Sequence, residues 1–261
     1  MNTDRLNRFL RIFGLLILVV CLTGCAYWLR AYQTYLQMGE FDKYFKVVVT
    51  DAFTLEFKEP ILYSEDFVSL SKLYASEDDL TPNGRRWRYR FRKVDGNNKP
   101  VVPEVKFFSE LNFNKESRIT SWSFSSLFLE IAPPKFLEVS LRSIGGAEIN
   151  KEKMQLRGNT DLIDKISADL PKKVTVVSKL GVPLEIRDEK EWEIYIYHFQ
   201  LDTHGIEEGY EDRAISEVKL TFDKKSQELI KMAGRFAGLK VSINYKKFLD
   251  EKPDVAENQA Q

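Results

Sequence analysis

The residues best equipped for chemistry in this chain form one dense run, Arg85-Arg86-Trp87-Arg88-Tyr89-Arg90-Phe91-Arg92-Lys93. In an extended strand, alternate side chains point to opposite faces. That alternation puts Trp87, Tyr89 and Phe91 on one face and Arg86, Arg88, Arg90 and Arg92 on the other. A guanidinium bonds phosphate or carboxylate through two parallel N–H groups, so the arginine row is a candidate site for an anion or an acidic partner. The competing account makes it a solvated face whose arginines pair across strands with Glu104 or Glu110. A second group is His198, Asp202 and His204, which holds both histidines of the chain. Zinc would require the three to converge. His198 falls inside a strand and His204, beside Gly205, in the loop after it, so the sequence assigns no metal and no cofactor. It has no Gly-x-Ser-x-Gly elbow and no phosphate-binding glycine loop. Its acidic residues are scattered without a catalytic pair. A non-enzymatic role is the expectation.

The elements that must position these residues follow from periodicity. Ala26 to Phe45 has a helical pattern with a partly aromatic face (Tyr27, Leu29, Tyr32, Tyr35 and Leu36), a stalk between anchor and body that could lie on a bilayer surface. Lys46–Val49 and Phe53–Phe57 alternate as strands. Ser64, with Glu65 and Asp66, suits a helix start. Strands follow at Arg86–Lys93, Val105–Phe113 and Ser121–Ile131, and Pro133-Pro134 opens a short helix. The later half repeats this order. Ser71-Lys72-Leu73 recurs as Ser178-Lys179-Leu180, Trp87 as Trp192, Leu111–Ser117 as Leu220–Ser226, and Phe124–Glu138 as Phe236–Asp250. The second helix ends at Gly181 and Pro183, with strands at Trp192–Gln200, Ile215–Phe222 and Leu239–Asn244.

The expected fold class is therefore α+β: two tandem repeats of a helix packed on an antiparallel β-meander, after an N-terminal signal or anchor helix. The first repeat spans 46–145 and the second 155–250, with a linker at 146–154 and a frayed tail at 251–261. On this alignment Trp192, Ile194 and Ile196 face inward with Trp87, Tyr89 and Phe91. Tyr195 and Tyr197 then lie on the outer face with Glu193, as a candidate partner-contact surface.

The N-terminus carries Arg5, Arg8 and Arg11, then the apolar run Phe13–Leu22, then Leu22-Thr23-Gly24-Cys25. A basic start, an apolar run and a small-residue cut site are the parts of a secretory signal peptide. With cysteine directly after Leu-Thr-Gly, the segment resembles the lipobox of bacterial lipoproteins. The resemblance implies cleavage after residue 24, a lipid on Cys25 and a membrane-anchored protein whose residues 25–45 link anchor to body. Ala26, where inner-membrane retention typically has Asp, implies the periplasmic face of the outer membrane. The alternative is an uncleaved membrane helix over the uncharged stretch Ile12–Leu29, close to the minimum of about 17 residues for a span.

The chain has 39 basic and 39 acidic residues. Residues 1–24 include three arginines and one aspartate, so the remainder stays near neutral and gives no support to nucleic-acid binding. Apolar residues at 43%, with 13% aromatics, suffice for a packed core. Its two cysteines are Cys21, in the signal, and Cys25. A processed and lipidated chain would hold no free thiol and no disulfide.

The stretch Val177–Pro183, followed by Trp192-Glu-Ile-Tyr-Ile-Tyr and Val218-Lys-Leu-Thr-Phe-Asp, resembles the small lipoprotein subunit of the outer-membrane β-barrel assembly machine. The same unit in tandem is similar to the β-lactamase inhibitory proteins. The first half departs from the pattern, with Tyr74-Ala75-Ser76 in place of Gly-x-Pro. The resemblance implies an interaction module in envelope assembly or maintenance, with an envelope protein as partner and anionic lipid or lipopolysaccharide as further candidates for the arginine row. The alternative function is a carrier whose sheet curves around a lipid or other hydrophobic ligand.

Overall fold

The structure is a computed structural model that describes residues 26–150, 155–236 and 239–250. The signal assigned to 1–24, the lipidated Cys25 and the tail from 251 lie outside the described residues. Residues 26–38 form helix α1, and a short α2 (Phe41–Tyr44) leads into strands β1 (Phe45–Val49) and β2 (Phe53–Phe57). Helix α3 (Ser64–Ser71) precedes β3 (Glu77–Thr81), β4 (Gly84–Val94), β5 (Lys106–Asn114) and β6 (Ile119–Phe124). Helices α4 (Ser126–Leu129) and α5 (Pro134–Arg142) follow, then a small hairpin of β7 (Glu148–Asn150) and β8 (Gln155–Arg157). The later half has α6 (Lys173–Leu180), β9 (Glu185–Asp188), β10 (Trp192–Asp202), β11 (Ile215–Asp223), β12 (Leu229–Phe236) and β13 (Leu239–Asn244).

One sheet takes strands from both halves. Its main path runs β1-β2-β6-β5-β4-β10-β11-β12-β13, and every pairing along it is antiparallel. At the middle, β4 meets β10 over Arg90–Val94 and His198–Asp202. The remainder of each strand's edge is taken by a local hairpin partner, β3 on β4 and β9 on β10. The sheet is strongly curled. The Phe107 ring on β5 lies 5.8 Å from the Phe236 ring on β12, although three strands separate them in the sheet. A flat sheet with strands about 4.8 Å apart would hold them roughly 19 Å apart.

This architecture overturns the expected pair of helix-on-meander repeats. The protein is mostly antiparallel β, with few and short helices and one curled sheet. Two of the sequence matches fail on physical grounds. Phe124–Glu138 runs from the end of β6 through α4 and α5, whereas Phe236–Asp250 runs through β13 into a 3-10 turn. Likeness of residue type there reflects a shared apolar-and-charged composition, not shared structure. The Trp87–Trp192 match is out of phase. Phe91 pairs with Leu201 and Lys93 with Phe199 across the seam, so the inward residues of β10 are Tyr195, Tyr197, Phe199 and Leu201. A slip of one residue moves every side chain to the other face. Trp192 is accordingly 41% exposed and Tyr197 fully buried; Ile196 is buried too, at 1%, but outside the main core cluster that holds Tyr197, Phe199 and Leu201.

The core lies on the inward face and is largely aromatic. Phe107 packs on Phe91 and Phe199 with ring centroids 4.9 and 5.0 Å away, and Phe128 of α4 packs on Phe107, Phe124 and Phe236. Pairs of this kind add about 0.5–1.5 kcal/mol each beyond the area they bury. Helix α3 joins the same face through Phe67 on Phe113. Helix α6 joins it through buried Val176 and Leu180.

Both of these helices end on left-handed residues. Gly181 has φ 70°, as its glycine promises, but α3 stops on Lys72 at φ 66°, a conformation that strains a side-chain-bearing residue. The orphan carbonyls at each end are then satisfied from the opposite half of the chain. Lys93 of β4 is 6% exposed and its ammonium donates to the Leu180 and Val182 carbonyls, at 2.7 and 2.5 Å. Arg213, just before β11, donates to the Leu70 and Ser71 carbonyls, each at 3.0 Å. A cation at a helix C-terminus also opposes the helix dipole favourably.

Lys93→Ala leaves two carbonyls without their charged donor, which costs about 2–3 kcal/mol and should lower the urea midpoint. Lys93→Met, which keeps the volume and removes the buried charge, should lose less. Burial lowers the Lys93 pKa below its ordinary 10.5, so the unfolded chain holds this proton more tightly than the folded one. Stability of the wild type should therefore rise relative to Lys93→Met as pH climbs from the depressed folded value towards 10.5. Denaturant titrations of both proteins across the alkaline range measure the difference.

Candidate interaction surfaces

The sheet's outward face is polar, and the arginine row occupies its centre. Arg86, Arg88, Arg90 and Arg92 all project from β4 on the side away from buried Trp87, Tyr89 and Phe91. Strand β3 supplies two of the five carboxylates that face them, Glu77 and Asp79. The turn at Pro82-Asn83 folds Glu77-Asp78-Asp79 back along β4, in a register that pairs Thr81 with Gly84. Gly84 has φ 149°, and a Cβ there would lie 2.0 Å from the Phe113 carbonyl oxygen, so this hairpin requires glycine.

The resulting ion pairs form a continuous ladder. Arg86 donates to Asp79 at 2.7 Å, and Arg88 donates to Glu110 at 2.7 and 3.1 Å and to Glu77 at 3.3 Å. Arg90 bonds Glu77 on β3, and Arg92 reaches Asp202 on β10 at 3.1 Å and Glu104 at 3.9 Å. The Arg88 guanidinium also lies 4.7 Å over the Phe108 ring. Hydrogen bonding to Asp79 raises the Arg86 pKa, and the Lys106 ammonium, followed by Arg92, lowers that of Glu104. Each arginine of the row thus meets at least one carboxylate of the same chain. The geometry is that of the cross-strand pairing account, with Glu104 and Glu110 joined by Glu77, Asp79 and Asp202.

Tyr195 and Tyr197 do not form an outward contact face. The Tyr197 hydroxyl donates to the Gly181 carbonyl at 3.1 Å, and its ring lies 5.1 Å from the Lys93 ammonium. Desolvation raises the Tyr197 pKa. Tyr195 packs edge-on against Phe222 with centroids 5.1 Å apart. Both rings support α6 from beneath.

The His198, Asp202 and His204 group does not converge. His198 faces Glu217 at 3.7 Å, Asp202 is held by Arg92, and His204 lines a surface cleft of about 310 Å³ with Tyr74, Asp78 and Trp87. Among the described residues no group of three or more His, Cys, Asp or Glu is placed to hold a metal ion. Another surface cleft, of about 450 Å³, is lined by Gln37, Glu59, Asn114, Glu116 and Arg118 together with Pro60 and Ile61.

Helix α1, expected from the sequence as a stalk with a partly aromatic face, is amphipathic the wrong way round. Thr34 and Gln37 are buried against the body, while Trp28, Leu29, Tyr32 and Leu36 are 43%, 58%, 50% and 53% exposed. Arg30 binds Asp66 at the start of α3 through two bonds, of 2.8 and 2.5 Å, and Asp66 is 1% exposed. The same carboxylate accepts the Tyr63 N–H at 2.8 Å, the reach-back bond of a helix start. Gln37 donates to the Glu59 carbonyl and Tyr35 to that of Ala147. The signal was present in the sequence: Arg30, Thr34 and Gln37 fall on one side at helical spacing, and Trp28, Leu29, Tyr32 and Leu36 on the other.

The ladder is testable as a structural unit. A double-mutant cycle of Arg88→Gln and Glu110→Gln should give a coupling of up to about 1 kcal/mol in chemical denaturation. A coupling near zero would show the pair to be incidental to stability. No family model matches the chain, and no curated protein or solved structure is similar to it.

Proposed function

We propose that the protein is a lipid-anchored interaction module of the bacterial envelope, held by Cys25 at the periplasmic face of the outer membrane and acting without catalysis in envelope assembly or maintenance. The observation that carries this reading is the joint between anchor and body. The lipobox-like Leu22-Thr23-Gly24-Cys25 stands directly before a helix tied to the folded body by Arg30–Asp66, Tyr35–Ala147 and Gln37–Glu59. A floppy tether would need none of these bonds. A bidentate arginine–carboxylate pair with a buried carboxylate at this point makes sense where the body must be held in a set attitude to its anchor. Two or three acyl chains, at about 0.8 kcal/mol per buried methylene, give lasting membrane attachment.

Its partner would be another envelope protein. The ladder face supports this role as a rigid, charge-balanced platform rather than as an open cation surface. The interior of the curled sheet is filled by Phe91, Phe107, Phe128 and Phe199, which favours a docking role over carriage of a lipid inside the sheet.

Cys25→Ala should abolish labelling by radioactive palmitate and leave an uncleaved precursor in the inner-membrane fraction. Palmitate on the Cys25→Ala protein, or normal processing of it, would refute the anchor.

A further inference from the structure

We infer that α1 is an interfacial helix that lies flat in the bilayer surface, with Trp28, Leu29, Tyr32 and Leu36 immersed among headgroups and upper acyl chains. The inference deepens the anchored reading and rests on it. Three observations point to lipid as the occupant. The first is polarity. The side of α1 that turns inward carries Arg30, Thr34 and Gln37, each with a hydrogen-bond partner in the body or on its own helix. The helix therefore turns its charge and two of its polar side chains into protein, and leaves Trp28, Leu29, Tyr32 and Leu36 outside.

The second is residue type. The outer side holds one tryptophan, one tyrosine and two leucines with a single exposed glutamine, Gln33, at its margin, and the Tyr27 ring lies tilted beside Trp28 at 5.3 Å between centroids. Tryptophan and tyrosine concentrate where one end of the ring meets hydrocarbon and the other meets water. The third is continuity. The uncharged stretch from the lipidated Cys25 runs without a break to Leu29, so the exposed face of α1 begins within four residues of the anchor. Arg30, the first charge after that stretch, is turned away from the exposed face and into Asp66. A protein partner or a second copy would fit the same apolar side, but neither accounts for this continuity with the anchor.

Helix orientation supplies the decisive measurement. Trp28 and Leu36 are eight positions apart, about 12 Å along a helix at 1.5 Å per residue. In a helix lying flat they sit at equal depth; in a stalk standing upright Leu36 is well clear of the membrane. The full-length lipidated chain is reconstituted in phosphatidylethanolamine/phosphatidylglycerol vesicles containing brominated lipid, and tryptophan quenching is read. With the exposed Trp192 replaced by Phe in every protein, Trp28→Phe should remove most of the quenchable signal, because Trp87 is buried and Trp122 is half-buried on β6 with its indole N–H bonded to Ser109. Adding Leu36→Trp to Trp28→Phe should restore it to within about two-fold of the protein that keeps Trp28. A chain that floats with vesicles but shows no quenching at position 36 overturns the flat helix and leaves the anchor standing. If cross-linking then joins two copies through α1, the occupant is a second chain. Failure to float at all overturns the anchor, and the interfacial helix with it.

Discussion

Everything in this molecule depends on the five-residue contact between β4 and β10. There, two strand systems far apart in sequence become one sheet, and two helices receive the cations that complete their ends. Lys93 belongs to the first half and caps α6 of the second; Arg213 belongs to the second and caps α3 of the first. The arrangement is reciprocal, so neither half has satisfied helix ends by itself. A buried lysine is costly unless its ammonium is hydrogen-bonded, and here it bonds the last carbonyl of α6 and that of Val182 just beyond it while facing the Tyr197 ring. The loop before β11 adds to the seam from the other side: Tyr74 N–H donates to the Gly205 carbonyl, and Lys72 pairs with Glu207 at 3.1 Å. The long-range pairing thus carries local consequences on both sides of the sheet.

Strand periodicity made much of the fold legible. The alternation through Trp87, Tyr89 and Phe91 gave the inward face of β4 correctly, and the helix start at Ser64 and stop at Gly181 are where capping chemistry places them. The seam was not legible, since nothing local to Arg90–Val94 or His198–Asp202 specifies that the two strands pair. The tandem arrangement failed for a related reason. Matching Trp87 to Trp192 aligned two large aromatic residues but ignored phase, and phase decides burial in a strand. Tyr195 and Tyr197 were assigned outward as a direct consequence. Strand β3 was missed although its signal was there: Glu77-Asp78-Asp79 and the arginine row flank Pro82-Asn83-Gly84, a turn sequence between segments of opposite charge. Reading the two charge runs together would have given both the hairpin and the partners of the arginines.

The arginine ladder and helix α1 show why residue type alone misleads about surfaces. Four arginines in a row suggest an open cation face, yet the fold brings five carboxylates to them, from β3, β5, β10 and the loop before β5. Exposed pairs of this kind contribute little each. Their collective effect is to flatten the electrostatic field of the sheet's outer face, so recognition there would rest on shape and hydrogen bonding more than on charge.

Helix α1 presents the opposite case. Its bonds to the body are polar, and removing Arg30 would strand the buried Asp66 carboxylate, a loss that for a buried charge typically costs about 3–5 kcal/mol. That cost secures position but does not account for the outward side of the helix. If α1 served only to brace α3, the ordinary solution would turn its aromatic side inward, where it would bury apolar area, and leave its polar side to water. The chain does the reverse. Asp66 sets this orientation: its carboxylate is needed at the start of α3 to accept the Tyr63 N–H, it is buried once α3 packs, and it must then meet a cation. Arg30 is that cation, and its guanidinium and that of Arg118 lie 5.0 and 4.8 Å from the Tyr63 ring. With Arg30 fixed inward, helical geometry leaves Trp28, Leu29, Tyr32 and Leu36 no direction but out. The exposed apolar face of α1 is therefore imposed by the start of α3, and the environment outside α1 has to suit it.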